Sequence, residues 1–166
     1  MSTRHTVIAS PVGDLTAVAE DDHLVGLYFT GREDGSLAVT LGPRIDEDFP
    51  DTRLQLDEYF AGERTRFDLP LAPHGDEFEQ RVWELIAEID YGETRSYGEL
   101  ARRLGGPGLS RAVGTATGRN PISVIVPCHR VIGADGSLTG FGGGLDRKRF
   151  LLRLEEPSAE VAGRLF

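Results

Sequence analysis

The stretch Leu69–Gly75, LPLAPHG, carries two prolines and a glycine in seven residues. Proline fixes φ, lacks an amide donor and pushes the residue before it out of the helical region. No helix or central strand runs through such a segment, so it divides the 166-residue chain. The expected organisation is an N-terminal α/β piece, 1–72, and a C-terminal, mostly helical piece, 73–166. The fold class is therefore α+β.

Before the divide, residues 5–12, 15–20 and 24–30 read as three short strands. HTVIASPV and LVGLYFT are rich in β-branched and aromatic residues, and Gly13-Asp14 and Asp21-Asp22 supply turns between the runs. An antiparallel meander follows. Residues 31–48 are polar and read as loop, with a further short strand near 36–41. Asp51 is the expected cap of a helix carrying Leu54, Leu56, Tyr59 and Phe60, which ends at Gly62. RTRFDLPL then reads as a strand or an extended arm.

After the divide, Phe78, Val82, Leu85, Ile86 and Ile89 recur at spacings of three and four, which predicts a helix over 76–89. Ser96 and Glu99 form a capping box for a helix at 97–104. Gly105-Gly106-Pro107-Gly108 breaks it, and a further helix starts at Ser110 and runs to about Thr117. Helix, short glycine-containing break, helix is the helix-turn-helix pattern, although an ordinary helical hairpin fits the same spacing. Ile122–Val126 is a β-branched run leading into Pro127-Cys128. Residues 133–144 are rich in glycine but match no phosphate-cradling motif, so they read as a loop. A last amphipathic helix covers 145–154, with Phe150, Leu151, Leu152 and Leu154 as its apolar positions. The tail after Pro157 reads as loosely ordered.

Charge separates along the same divide. The net charge is -9, yet residues 95–149 hold nine basic side chains and three acidic ones. An acidic half joined to a locally basic segment suits a protein that meets a polyanion through one face; arginines scattered over a solvated surface give the same count. The opening MSTRHTVIASP has no apolar core of a signal peptide, and no apolar run reaches the ~18 residues that span a bilayer. A cytoplasmic protein with no membrane association is expected.

The one cysteine, Cys128, excludes an internal disulfide and a thiolate metal cluster. It stands in Pro127-Cys128-His129-Arg130-Val131. Two neighbours able to carry positive charge favour the thiolate, the nucleophilic form. A buried inert thiol is the competing reading. A cysteine nucleophile needs a base, and the base needs an orienter. His129 is adjacent, but in an extended strand its side chain would point away from the sulfur, so contact requires a turn or a bridging water. Glu155 is the candidate orienter, against the alternative of a solvated charge.

The run from Asn120 to Val131 resembles the signature of the O6-alkylguanine-DNA alkyltransferases, the methylated-DNA–protein-cysteine methyltransferase family of suicide repair proteins. The similarity extends to Ser96-Tyr97-Gly98-Glu99-Leu100-Ala101, Arg111-Ala112-Val113-Gly114, Gly140–Gly144 and Leu151–Glu155. It covers residues 75–156 in order; the N-terminal half is only loosely similar.

The resemblance implies a small N-terminal domain with a ribonuclease-H-like sheet and a winged-helix-like C-terminal domain with a helix-turn-helix. It implies that Cys128 accepts the alkyl group of O6-alkylguanine, and of O4-alkylthymine, in duplex DNA after base flipping. His129 would draw the thiol proton through a water, Glu155 would hold the imidazole, Asn120 would support the turn, and Tyr97 would donate its hydroxyl to the leaving guanine. The helix at 110–117 would enter the minor groove with Arg111 as the finger, and Ala112, Gly114, Thr115, Thr117 and Arg119 would lie along the DNA. Tyr97, Val131, Phe141, Gly142 and Gly143 would line the pocket, with the Cys128 and Val131 carbonyls reading the exocyclic amine. A glycine-rich wall implies tolerance of alkyl groups larger than methyl. No cofactor and no metal are expected, and the protein is expected to act as a monomer, with cooperative binding on DNA as the alternative. A non-catalytic alkylated-DNA binder, a winged-helix regulator and a cysteine hydrolase are the rival readings.

Overall fold

Three β-branched runs separated by tight turns pair as the alternation requires. The computed structural model describes residues 3–29, 41–136 and 144–156. Strands β1 (Thr3–Ile8), β2 (Leu15–Glu20) and β3 (His23–Phe29) form an antiparallel sheet in that order. Ile8 pairs with Leu15 and Leu15 with Phe29, and all three side chains are buried. The anticipated strand near 36–41 falls largely outside the described residues.

Helix α1 (Pro50–Phe60) follows. Asp51 does not cap it: Phe49 holds the cap position, Pro50 opens the first turn and Asp51 lies within that turn. Proline there loses nothing, because the first helical amides have no partner inside the helix. Leu56 and Tyr59 are the buried apolar residues of α1, whereas Leu54 is exposed. Gly62 at φ 79° terminates the segment in the left-handed region, which glycine tolerates.

The arm after α1 makes no regular strand. It lies along the free edge of β3: the Leu24 amide donates to the Pro70 carbonyl at 2.8 Å, and the Ala72 amide donates to the Leu24 carbonyl at 2.9 Å. Three residues further along the same edge, the Leu27 amide donates to Pro121 at 2.8 Å and the Ser123 amide donates to Leu27 at 3.1 Å. One strand edge thus ties both the arm after α1 and the segment that leads to Cys128 to the N-terminal sheet, and the edge amides and carbonyls of Leu24 and Leu27 are satisfied.

In the C-terminal half, Asp76 caps α2 (Glu77–Ala87) through a full capping box with Glu79. Asp76, expected as the first residue of this helix, is instead its cap, as the D-x-x-E spacing of Asp76 and Glu79 allows. Ser96 and Glu99 cap α3 (Tyr97–Leu104) as expected. After a break at 105–109, α4 (Ser110–Gly118) packs on α2 and α3, and the Trp83 indole donates to the Ala116 carbonyl at 2.8 Å. Strands β4 (Arg95–Ser96) and β5 (Val131–Ile132) form a short parallel pair.

Helix α5 (Leu145–Leu154) turns Lys148 and Leu151 inward, with Glu155 at its C-cap buried as well. Phe150, expected on the apolar face, is instead exposed. Arg147 anchors the helix to the N-terminal sheet, donating to the Val12 carbonyl at 2.8 Å and lying 5.0 Å from the Phe29 ring centre. One core cluster spans both halves, from Leu15 and Tyr59 to Val113 and Leu151. No helix among the described residues is long and apolar enough to cross a membrane.

Candidate active site

The β-branched run before Cys128 does not become a strand. Two prolines bracket it, and it folds into successive tight turns: Ile125 donates to Ser123 at 2.8 Å, Val126 to Ile122 at 3.0 Å, and Cys128 to Val126 at 2.8 Å. Val124 sits at φ 72°. A β-branched residue there costs on the order of 1–3 kcal/mol, so the surroundings must impose it. Asn120 is the main constraint. Its amide nitrogen donates to the Val126 carbonyl at 2.8 Å and to the Ile122 carbonyl at 3.4 Å, while its oxygen accepts from the Ile122 amide at 3.0 Å. The hydrogen bonds from β3 on Pro121 and Ser123 hold the other side.

Cys128 to Arg130 form one turn of 3-10 helix. This provides the turn that the sequence required for the cysteine and histidine to share a neighbourhood. Cys128 is reduced and buried. His129 is fully buried, and its Nε2 lies 2.8 Å from Glu155 Oε2. An ionised carboxylate only accepts, so Nε2 carries the proton and Nδ1 is the basic nitrogen. Nδ1 has no hydrogen-bond partner among the described residues. Burial pushes the His129 pKa below the usual histidine range and outweighs the opposing pull of Glu155.

Glu155 is not a solvated charge. It is 3% exposed and takes four hydrogen bonds. Arg130 Nε reaches Oε1 at 2.8 Å and Arg130 Nη2 reaches Oε2 at 2.9 Å. The Tyr59 hydroxyl donates to Oε2 at 2.5 Å. Burial alone would raise the Glu155 pKa, but the hydrogen bonds from His129, Arg130 and Tyr59 overcome it and hold the value at about 2. Arg130 neutralises the carboxylate, which leaves the imidazole uncharged.

Arg130 therefore does not serve the sulfur, contrary to the simplest reading of the motif. Its remaining contacts are the Ile89 carbonyl at 2.6 Å and the Tyr91 ring at 5.7 Å from the centroid. A cation that feels the charge of Cys128 comes from α5. The Lys148 side chain is completely buried, and its ammonium donates to the Val131 carbonyl at 2.7 Å. Burial lowers the Lys148 pKa, and the negative charge of Cys128 works against that shift. Sequence reasoning counted Lys148 only in the basic window. Its inward position was legible in the spacing 148, 151, 155, which recurs at three and four residues.

Tyr97, the first residue of α3, is half-buried, and its ring borders Gly114, where an added Cβ would meet it at 3.9 Å. Val131 is buried and offers its carbonyl to Lys148. Arg111, Ala112 and Thr115 are exposed along α4, and Arg119 is exposed beyond its end, 3.7 Å from Glu79. Thr117 departs from the expected DNA-facing set. It is buried, with its hydroxyl bonded to the Val113 carbonyl at 2.7 Å, because its position on α4 faces the core beside Val113 and Ala116. Phe141, Gly142, Gly143 and the tail after Pro157 lie outside the described residues. Among those described, no cluster of three or more His, Cys, Asp and Glu residues could hold a metal ion.

Known proteins resemble this chain in sequence and fold. Residues 3–73 match the ribonuclease-like domain of 6-O-methylguanine DNA methyltransferase, and residues 77–157 match its DNA-binding domain. The chain is 48% identical over 164 residues to a methylated-DNA–protein-cysteine methyltransferase of Mycolicibacterium paratuberculosis, covering 98% of both chains. The crystal structure of the Mycobacterium tuberculosis O6-methylguanine methyltransferase superposes with a TM-score of 0.86 at 46% identity, over 98% of this chain and 99% of that one. The Mycobacterium tuberculosis OGT in complex with DNA superposes at 0.83 with 47% identity, over 92% of each chain. With the sulfur and base in one buried turn, the carboxylate held against it from the end of α5, and similarity along nearly the whole length, this chain belongs to the methylated-DNA–protein-cysteine methyltransferase family.

Proposed function

We propose that this protein repairs O6-alkylguanine in duplex DNA by moving the alkyl group, once, to the sulfur of Cys128. The observation that carries the reading is the buried Cys128 turn, with a histidine held by Glu155 and its Nδ1 left without a hydrogen-bond partner among the described residues.

His129 Nδ1 takes the thiol proton through a water, as the basic nitrogen left by the Nε2–Glu155 bond. The thiolate attacks the carbon on guanine O6 in line with the C–O bond. That bond breaks, its electron pair passes to the purine, and a thioether remains on Cys128. The Tyr97 hydroxyl donates toward the leaving guanine and neutralises it. The carbonyls of Cys128 and Val131 read the exocyclic amine. Val131 O already accepts from the Lys148 ammonium, which fixes where that carbonyl points. O4-alkylthymine carries the same alkyl–oxygen bond and is a further substrate of the same displacement.

The target base must leave the stack to reach a buried sulfur. Helix α4 is the surface that meets the minor groove, with Arg111 filling the gap and Ala112, Gly114 and Thr115 permitting close approach. Arg119 contributes charge at the end of the helix. Thr117 plays no part, being turned into the core. A single reduced thiol fits the cytoplasm, where duplex DNA and reducing conditions coincide.

A thioether is not readily hydrolysed, so transfer stops at one event per chain. Titration with duplex carrying a labelled methyl group tests this. The label on protein should plateau at one per chain. Continued release of product beyond that point identifies a cysteine hydrolase, and binding without label identifies a non-catalytic binder.

A further inference from the structure

The carboxylate that orients the base is held from the other domain. Tyr59 lies in α1, 96 residues from Glu155 in the chain, and is completely buried. A buried tyrosine hydroxyl needs a partner, and this one has taken the carboxylate of the site. Three donors converge on Oε2, from Tyr59, His129 and Arg130 Nη2, while Arg130 Nε takes Oε1. Donors from three sides fix the orientation of the group, and the His129 imidazole shares Oε2 with Tyr59 and Arg130, so the negative charge does not rest on the imidazole alone. The ring itself is fixed, packed against Phe60 at 5.1 Å, Phe67 at 5.4 Å and Tyr91 at 6.3 Å between centroids.

We propose that Tyr59 is a positioning residue of alkyl transfer, through which the N-terminal domain orients Glu155 and keeps His129 a neutral base. The proposal rests on the transfer reading above. It gives the N-terminal domain a part in the chemistry, next to the backbone bonds by which β3 holds Pro121 and Ser123. Burial and the neighbouring carboxylate raise the Tyr59 pKa far above its usual value, so the hydroxyl remains a donor at any working pH.

Tyr59→Phe removes the hydroxyl and keeps the ring. The groups that face the His129–Glu155 pair are then Arg130 from its own turn, Tyr91 from the segment after α2, and Lys148 from α5. With one donor gone, Glu155 becomes a stronger acceptor and stabilises the imidazolium better. The acid limb of the transfer rate should move to higher pH, and the rate at neutral pH should fall on the order of tenfold, while binding to alkylated duplex is unchanged. Leu56→Ala, a core truncation on the same helix, is the control: it should lower the melting temperature without moving the acid limb. In a Glu155→Gln background, Tyr59→Phe should cost little further, because both act through one side chain.

A Tyr59→Phe protein with the wild-type rate and pH profile overturns the proposal. So does a rate loss in which the acid limb stays fixed and Leu56→Ala matches it, since that is destabilisation alone. Failure of the wild-type protein itself to transfer the alkyl group would overturn the functional reading instead.

Discussion

The Lys148 ammonium, reaching in from α5, donates to the Val131 carbonyl at 2.7 Å and feels the negative charge of Cys128, while Arg130, two residues after the cysteine, is turned to Glu155. The motif around the cysteine thus divides two electrostatic tasks. Arg130 neutralises the carboxylate so that the base stays uncharged, and a residue twenty positions downstream supports the thiolate.

Lys148→Met tests that division. Methionine keeps most of the buried stem and removes the charge. The pH at which Cys128 reacts with iodoacetamide should rise, and methyl transfer at neutral pH should slow on the order of tenfold. Leaving the Val131 carbonyl unpaired should also cost ~1–3 kcal/mol of stability, read by chemical denaturation. An unchanged pH profile with normal reactivity would remove Lys148 from the account.

Acid should destabilise the protein in two stages. The His129 pKa is lower folded than its ordinary 6.5, so its contribution is complete above that pH and is lost as pH falls through the folded value. Glu155 moves from 4.5 to about 2 on folding, so its contribution is present above 4.5 and disappears between there and about 2. That second stage is worth a few kcal/mol at most. Melting temperatures should therefore start to fall below about pH 6.5 and fall further below about 4.5. In Glu155→Gln the lower stage should shrink, leaving the part carried by carboxylates such as Asp46, which Arg44 and Thr6 also hold below its ordinary value.

Asn120→Ala removes three hydrogen bonds from a turn that holds Val124 in the left-handed region. A loss of roughly 2–3 kcal/mol in stability is expected, since buried carbonyls and an amide lose their partner. Transfer should fall by more than Lys148→Met produces, because the sulfur is no longer aimed. Asn120→Asp should recover stability only partly: it still accepts from Ile122 but cannot donate to Val126.

Arg111→Ala separates base capture from chemistry. Arg111 is exposed on α4, away from the buried turn. Transfer from alkylated duplex should drop at least tenfold, with weaker salt dependence of binding. Transfer from free O6-benzylguanine, which needs no flipping, should be nearly unaffected. Equal losses on both substrates would place Arg111 in the reaction itself.

The sequence carried the elements of the C-terminal half well, because local signals marked them. The Ser96–Glu99 box, the glycines after Leu104 and the apolar spacing in α2 each act within a few residues. The strands were equally plain, since β-branched runs and turn pairs alternate. What stayed hidden was long-range or contrary to local preference. Ile122–Val126 has the composition of a strand, yet Pro121, Pro127 and the Asn120 side chain force turns upon it. Tyr59 reads as one apolar position of an amphipathic helix, and nothing local says that its hydroxyl meets a carboxylate 96 residues away. Thr117 reads as surface until the rotation of α4 against α2 is known. Cys128, His129, Glu155 and Asn120 were legible because the motif resembles a family; their separate duties came from the distances.

The most direct test is intact-protein mass spectrometry after incubation with duplex DNA containing O6-methylguanine. The account predicts the added mass of one methylene group per chain, mapped by peptide fragmentation to Cys128 and missing in Cys128→Ala. Protein that binds the lesion and leaves with unchanged mass, or that carries the methyl group on another residue, would contradict it.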